Sequence, residues 1–200
     1  MPARIFHKTE AQRFFETVFM ALKATIFKAE LQVSDMERHY YREHSLIIAR
    51  HPSESAQRMM VRILAFALNA NDRLAFTRGL SSENEPDLWQ HSLSNEIELW
   101  IELGQPDVKR IGKACGRAKK VIVYSYANLS NLVWWEQNRE KLKKFDNLCV
   151  VDLSAESTRE LALLTDRSMQ LQCTIQDGEV WLGNGIDSVH LSPKVRMRSD

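Results

Sequence analysis

The alternation of apolar and polar positions is sharpest between Glu96 and Tyr126, EIELWIELGQPDVKRIGKACGRAKKVIVYSY. Ile97, Leu99, Ile101 and Leu103 alternate with Glu98, Trp100 and Glu102, the period of two that predicts a strand with both carboxylates on one side. Gly104 ends that strand. Pro106 suits a first helical turn, and Val108, Ile111, Cys115 and Ala118 follow at helical spacing. Val121 to Tyr124 is aliphatic nearly throughout, as expected of a strand buried on both faces. A strand-helix-strand unit of this length implies a right-handed parallel crossover.

The rest of the pattern is read around that unit. Leu22–Val33 alternates crudely, Ser34-Asp35 turns, and Tyr40–Ala49 resumes the alternation, which predicts an antiparallel hairpin. Pro52 breaks the second strand. Ser53 can cap the next helix, with Glu54 in its first turn and Met60, Ile63, Leu64, Ala67 and Leu68 on its buried face, to an end near Asn69–Asp72. Leu74–Leu80 is β-like. Ser81–Pro86 reads as an acidic surface loop leading through Asp87-Leu88-Trp89 into the central strand. Leu129–Lys144 predicts a helix, Asn147–Leu153 a buried strand and Ser154–Leu164 a capped shorter helix. Asp177-Gly178 between Gln170–Gln176 and Glu179–Leu182 is the strongest hairpin signal. Residues 1–19 do not continue into the first strand and read as an extension outside the fold, with Met20 as an alternative start. Residues 20–192 form one expected domain, and the basic tail from Pro193 is expected to be loose.

Composition narrows the function. A chain of 200 residues, 44% hydrophobic, supports one domain with a real core. A net charge of +1 argues against a generally basic coat protein, so any phosphate-binding surface must be local. Cys115, Cys149 and Cys173 are far apart in apolar runs, which suits buried thiols in a reducing cytoplasm. No apolar run approaches the ~18 residues of a membrane span, and the start lacks the ordered basic, apolar and small-residue regions of a secretory signal, so a soluble, cytoplasmic protein is expected.

Candidate chemistry centres on charged side chains. Glu98 and Glu102 stand about 13 Å apart along an extended strand, so sharing an ion requires a bend or an intervening acid, for which Asp87 is the candidate. A small acidic cluster of this kind suits magnesium, which takes one or two carboxylates plus water and phosphate. The alternative is that both acids face water on an ordinary sheet surface. Lys109, Lys113 and Arg117 lie four apart with Arg110 beside them. This cationic stripe could hold phosphates or stabilise a transition state, and is otherwise a solvated helix face. Glu54 reads either as a further acid or as a helix-start charge. The histidines lack metal-ligand spacing, and serine-elbow, Walker and dinucleotide fingerprints are missing. Trp134-Trp135 reads as packing more readily than as a base-stacking platform.

The runs ALKATIFKAEL from Ala21, ARHPSES from Ala49, LAFTRGLSSENEPDLW from Leu74, LWIELGQPD from Leu99 and TIQDGEVWL from Thr174 together resemble the bacterial YaeQ family, over Met20 to about Leu191. The resemblance implies an α/β fold, an α+β mixed sheet with a restriction-endonuclease-like core of the PD-(D/E)XK type, flanked by an N-terminal and a C-terminal hairpin. It further implies a metal-dependent nuclease. Glu98, Glu102, Asp87 and Glu54 are then the candidate ligands of Mg2+, with Mn2+ as the alternative ion, and Arg110, Lys113 and Arg117 are the candidate nucleic-acid contacts. Glycine stands at 104 where that motif carries its catalytic lysine, so Lys113 or Lys109 would supply the amine beside Glu102. Without that substitution, the same fold would bind nucleic acid or a protein partner without turnover.

Overall fold

The computed structural model describes residues 24–77, 84–126 and 129–198. The expectations for residues 1–19, for Ser81–Glu83 and for Gly79-Leu80 lie outside these. A mixed α+β architecture emerges, built from two mixed sheets and four α-helices among the described residues.

The strands are β1 (Thr25–Asp35), β2 (Tyr40–Arg50), β3 (Leu74–Phe76), β4 (Leu88–His91), β5 (Ile97–Leu103), β6 (Ala118–Tyr126), β7 (Leu148–Leu153), β8 (Ser168–Gln176), β9 (Glu179–Gly183), β10 (Ser188–Leu191) and β11 (Lys194–Met197). The helices are α1 (Ala56–Leu68), α2 (Val108–Cys115), α3 (Leu129–Leu142) and α4 (Ala155–Leu161). One sheet runs β10-β9-β8-β1-β2 and the other β11-β7-β6-β5-β4-β3. The expected crossover is present, since β5 pairs parallel with β6 and α2 lies between them in sequence. Both expected hairpins form. They join through a parallel pairing of β1 with β8 into a sheet of their own. The turn Asp177-Gly178 places both residues at positive φ, +54° and +77°, the combination a two-residue hairpin turn requires.

Helix α1 is sandwiched in the larger core, and its residues 59 to 67 are all buried, Arg62 included. Its sequence, AQRMMVRILAFAL, is apolar on more than one stripe, which is what a helix covered on several sides needs. The opposite face of the six-stranded sheet carries a second core, in which Ile111 and Ala114 of α2 and Trp134 and Leu142 of α3 pack on Trp100, Val121, Val123 and Val150.

Three local expectations are corrected. Ser55, not Ser53, caps α1, its Oγ accepting from the Arg58 amide at 3.1 Å, so Glu54 precedes the helix and its side chain is free to turn inward. The tail from Pro193 is not loose, because β11 pairs antiparallel with β7 and Arg196 holds Asp152 at 2.7 Å. Glu98 and Glu102 do not share one face. Gln90 pairs with Leu99 but His91 pairs with Ile97, so Glu98 is the extra residue of a bulge. Ile97 and Trp100, three apart, consequently pack in the same core, and the alternation resets between them.

Candidate functional site

The C-terminal ends of the parallel strands β5 and β6 gather buried charge from three elements. In open α/β sheets this end is where ligands bind. Asp87 stands just before β4, its amide donating to the Ile101 carbonyl at 2.9 Å, and is 2% exposed. Arg58 of α1 grips it through two nitrogens, at 2.6 and 3.1 Å, and the Leu103 amide donates to its Oδ2 at 2.9 Å. Glu54, 4% exposed, accepts from the buried Arg62 at 2.9 Å, and its other oxygen lies 3.7 Å from Arg58 without a hydrogen bond. Glu102, 3% exposed, accepts through Oε1 from the Trp100 indole at 2.8 Å and from Arg110 of α2 at 3.0 Å. Each of the three acids is thus held by an arginine.

Burial raises the Glu54 carboxyl above its ordinary range; Arg62 and Arg58 pull it back, and the charge of Asp87 pushes with burial. Burial likewise raises Glu102, against the Trp100 and Arg110 hydrogen bonds, and Asp87 again adds to the rise. Asp87 therefore acts electrostatically on both glutamates. Tyr126, at the end of β6, is raised by burial and feels Arg58, Asp87 and Glu54.

The remaining sequence candidates fall elsewhere. Glu98 accepts from Gln90 at 2.8 Å and lies 3.4 Å from Arg73, in a separate polar patch beside the start of β3. Lys113 bonds the Asn84 side-chain oxygen, Arg117 bonds the Asn84 carbonyl at 3.0 Å and stacks its guanidinium 5.0 Å from the Trp100 ring, and Lys109 is exposed. Arg110, besides Glu102, bonds the Glu85 carbonyl at 2.9 Å. The cation that reaches Glu102 from α2 is accordingly Arg110 rather than Lys113 or Lys109. Gly104 sits at φ +89°, where an L side chain is strained, so the backbone at this position favours glycine over lysine.

The YaeQ protein family model matches residues 20–193. The chain belongs to the YaeQ family. It is 44% identical to "Uncharacterized protein YaeQ" of Escherichia coli (strain K12) over 173 residues, 86% of this chain and 96% of that protein. Against the protein of the same description from Salmonella typhi, identity is 45% over 172 residues, 86% of this chain and 95% of the relative. Among solved structures, the YaeQ protein from Xanthomonas axonopodis pv. citri is similar with a TM-score of 0.85 at 46% identity, over 87% of this chain and 98% of that one. The YaeQ protein from Pseudomonas syringae gives 0.83 at 32% identity, over 88% and 97%.

Arg58 and Arg62 were not among the site residues read from sequence. The available signal was the near-continuous apolar surface of α1, which leaves an arginine on it no route to water and so demands a buried acid as partner. Of the three expected buried thiols only Cys173 is buried, Cys115 and Cys149 being half-buried; burial raises all three, Cys115 up to about 11 and Cys173 up to about 12. No described helix is long and apolar enough to cross a membrane.

Proposed function

We propose that this chain is a nucleic-acid-binding protein on a restriction-endonuclease-like scaffold, holding a phosphodiester backbone at α2 without cleaving it. The observation that carries the reading is the pairing of Glu54, Asp87 and Glu102 with Arg62, Arg58 and Arg110. The order α1, β3-β4-β5 meander, α2, parallel β6 supports the scaffold.

The donor set does not fit magnesium as it stands. Among the described residues no group of three or more His, Cys, Asp or Glu side chains is gathered for an ion. Asp87 already accepts three hydrogen bonds, and Glu102 Oε1 accepts two. The position that would carry a catalytic lysine is glycine.

What α2 and the turn after it offer a phosphate is charge held by neutral partners. Lys113 and Arg117 are held by the uncharged amide groups of Asn84, so their positive potential is not cancelled by those contacts. Lys109 adds an exposed cation one turn earlier. Phosphate oxygens can exchange for the Asn84 oxygens and gain a charge-assisted bond in doing so. The test is fluorescence anisotropy with labelled single-stranded and duplex DNA and RNA in chelator, at several salt concentrations. Salt-dependent binding that weakens in Lys113→Ala is expected, with the slope falling by about one per lost phosphate contact. Binding indifferent to salt and to α2 overturns the proposal.

A second reading, a magnesium-dependent phosphodiesterase, draws on the orphaned Glu54 oxygen and on the convergence of the acids around Asp87. Cleavage that requires magnesium or manganese and disappears in Glu102→Gln would establish it in place of the first.

A further inference from the structure

We infer that Arg58 stands, as a fixed guanidinium, in the electrostatic place a divalent cation would take between the acids of this site, and that the wild-type protein consequently binds no divalent ion there. The inference rests on reading the acid cluster as a closed site. Its test uses no nucleic acid, so it holds or fails separately from phosphate binding at α2.

The geometry of one nitrogen makes the case. Arg58 Nη1 lies 2.6 Å from Asp87 Oδ1 and 3.7 Å from Glu54 Oε1, so a single positive group faces carboxylates from two separate segments. That bridging position is what a shared ion occupies in a carboxylate site. The second nitrogen takes Asp87 Oδ2, and the Leu103 amide takes that oxygen again. A carboxylate offers about four acceptor directions, and three are filled here. Planar fork-to-carboxylate pairing of this kind is among the strongest side-chain contacts.

The charge sum points the same way. Glu54, Asp87 and Glu102 are matched one for one by Arg62, Arg58 and Arg110. A divalent ion would bring two further positive charges into a balanced and buried cluster, and would have to expel a guanidinium into a place that could solvate it. Arginine cannot leave by losing its proton, since it stays charged throughout the physiological range. The backbone of Arg58 is also anchored, its amide donating to the Oγ of the N-cap Ser55 at 3.1 Å. Replacing Arg58 by an uncharged side chain of similar reach leaves Asp87 and Glu54 as neighbouring buried carboxylates without their common cation. Such a pair takes up a hard cation with oxygen preference.

The experiment is titration of the full chain with Mn2+, reading the free ion by electron paramagnetic resonance, with folding checked by circular dichroism. Wild type is expected to show no saturable binding at low-millimolar ion. Arg58→Gln is expected to gain saturable binding, and Arg58→Gln combined with Asp87→Asn to lose it again. Saturable binding by the wild type that disappears in Asp87→Asn overturns the inference, as does a folded Arg58→Gln that binds nothing. Should Arg58→Gln fail to fold, Arg58→Lys takes its place. Its point charge leaves part of Asp87 open and is expected to admit the ion at weaker affinity, and its silence overturns the inference equally.

Discussion

Helices α1 and α2 both turn arginines toward the ends of β5 and β6, yet they use them in opposite ways. On α1, Arg62 is 1% exposed, and it and Arg58 meet carboxylates, so each charge is spent inside the fold. On α2 and just beyond its end, Lys113 and Arg117 are exposed and meet amide oxygens, so their charge reaches solvent. Arg110 stands between the two cases, half-buried and paired with Glu102 while also touching the Glu85 carbonyl. The difference teaches that residue type alone does not mark a binding surface; what decides is whether the partner of each cation is charged. A buried pair fixes the scaffold, and a cation on a neutral partner remains available to a ligand.

That contrast can be broken most severely at Arg62. Arg62→Met strands the buried Glu54 charge and is expected to cost about 3–5 kcal/mol in urea unfolding, most of it regained when Glu54→Gln is added. A single variant no weaker than wild type would mean the α1 pairs carry no structural weight. Next, Trp100→Phe removes the indole donor from Glu102 and is expected to cost about 2 kcal/mol by the same measurement.

A pH series sharpens the comparison further. Burial raises the folded values of Glu54 and Glu102, so their contribution is fully present below the unfolded value near 4.5 and is lost as pH rises through the raised folded values. Wild type should therefore gain on Glu102→Gln as pH is lowered toward 4.5, read as the difference between their urea midpoints. A constant difference would contradict the assignment. On the solvent side, Lys143→Ala just past the end of α3, which breaks the exposed pair with Glu140, should leave the midpoint unmoved.

The parts of the fold carried by local periodicity were legible in the sequence. The β5-α2-β6 unit and both hairpins follow from alternation, turn residues and helical spacing. The junction of the two hairpins into a second sheet was not, because β1 and β8 are joined by a pairing between distant segments that neither strand announces. Glu98 misled for a physical reason: the bulge that turns it away depends on the register of β4, four residues long and itself expected only as a lead-in to the central strand. Glu54 looked adequately explained as a helix-start charge. Moving the cap to Ser55 changed which way it faces. Asp87, Glu102 and Arg110 were legible as candidates, Arg110 as a nucleic-acid contact, whereas Arg58 and the pairing of Arg110 with Glu102 were not, because partner choice is settled by three-dimensional packing.

The parallel pairing of β1 with β8 has a consequence for how the chain is made. After β1 and β2 zip together, one flank of β1 must wait until more than a hundred further residues have left the ribosome, on the order of ten seconds at ordinary elongation rates. Throughout that interval a long strand bearing Phe27, Leu31 and Val33 displays unmet backbone donors and acceptors, an open invitation to another nascent copy. Messages truncated before Ser168 should therefore yield sticky, chaperone-dependent fragments, while the completed chain closes that flank itself.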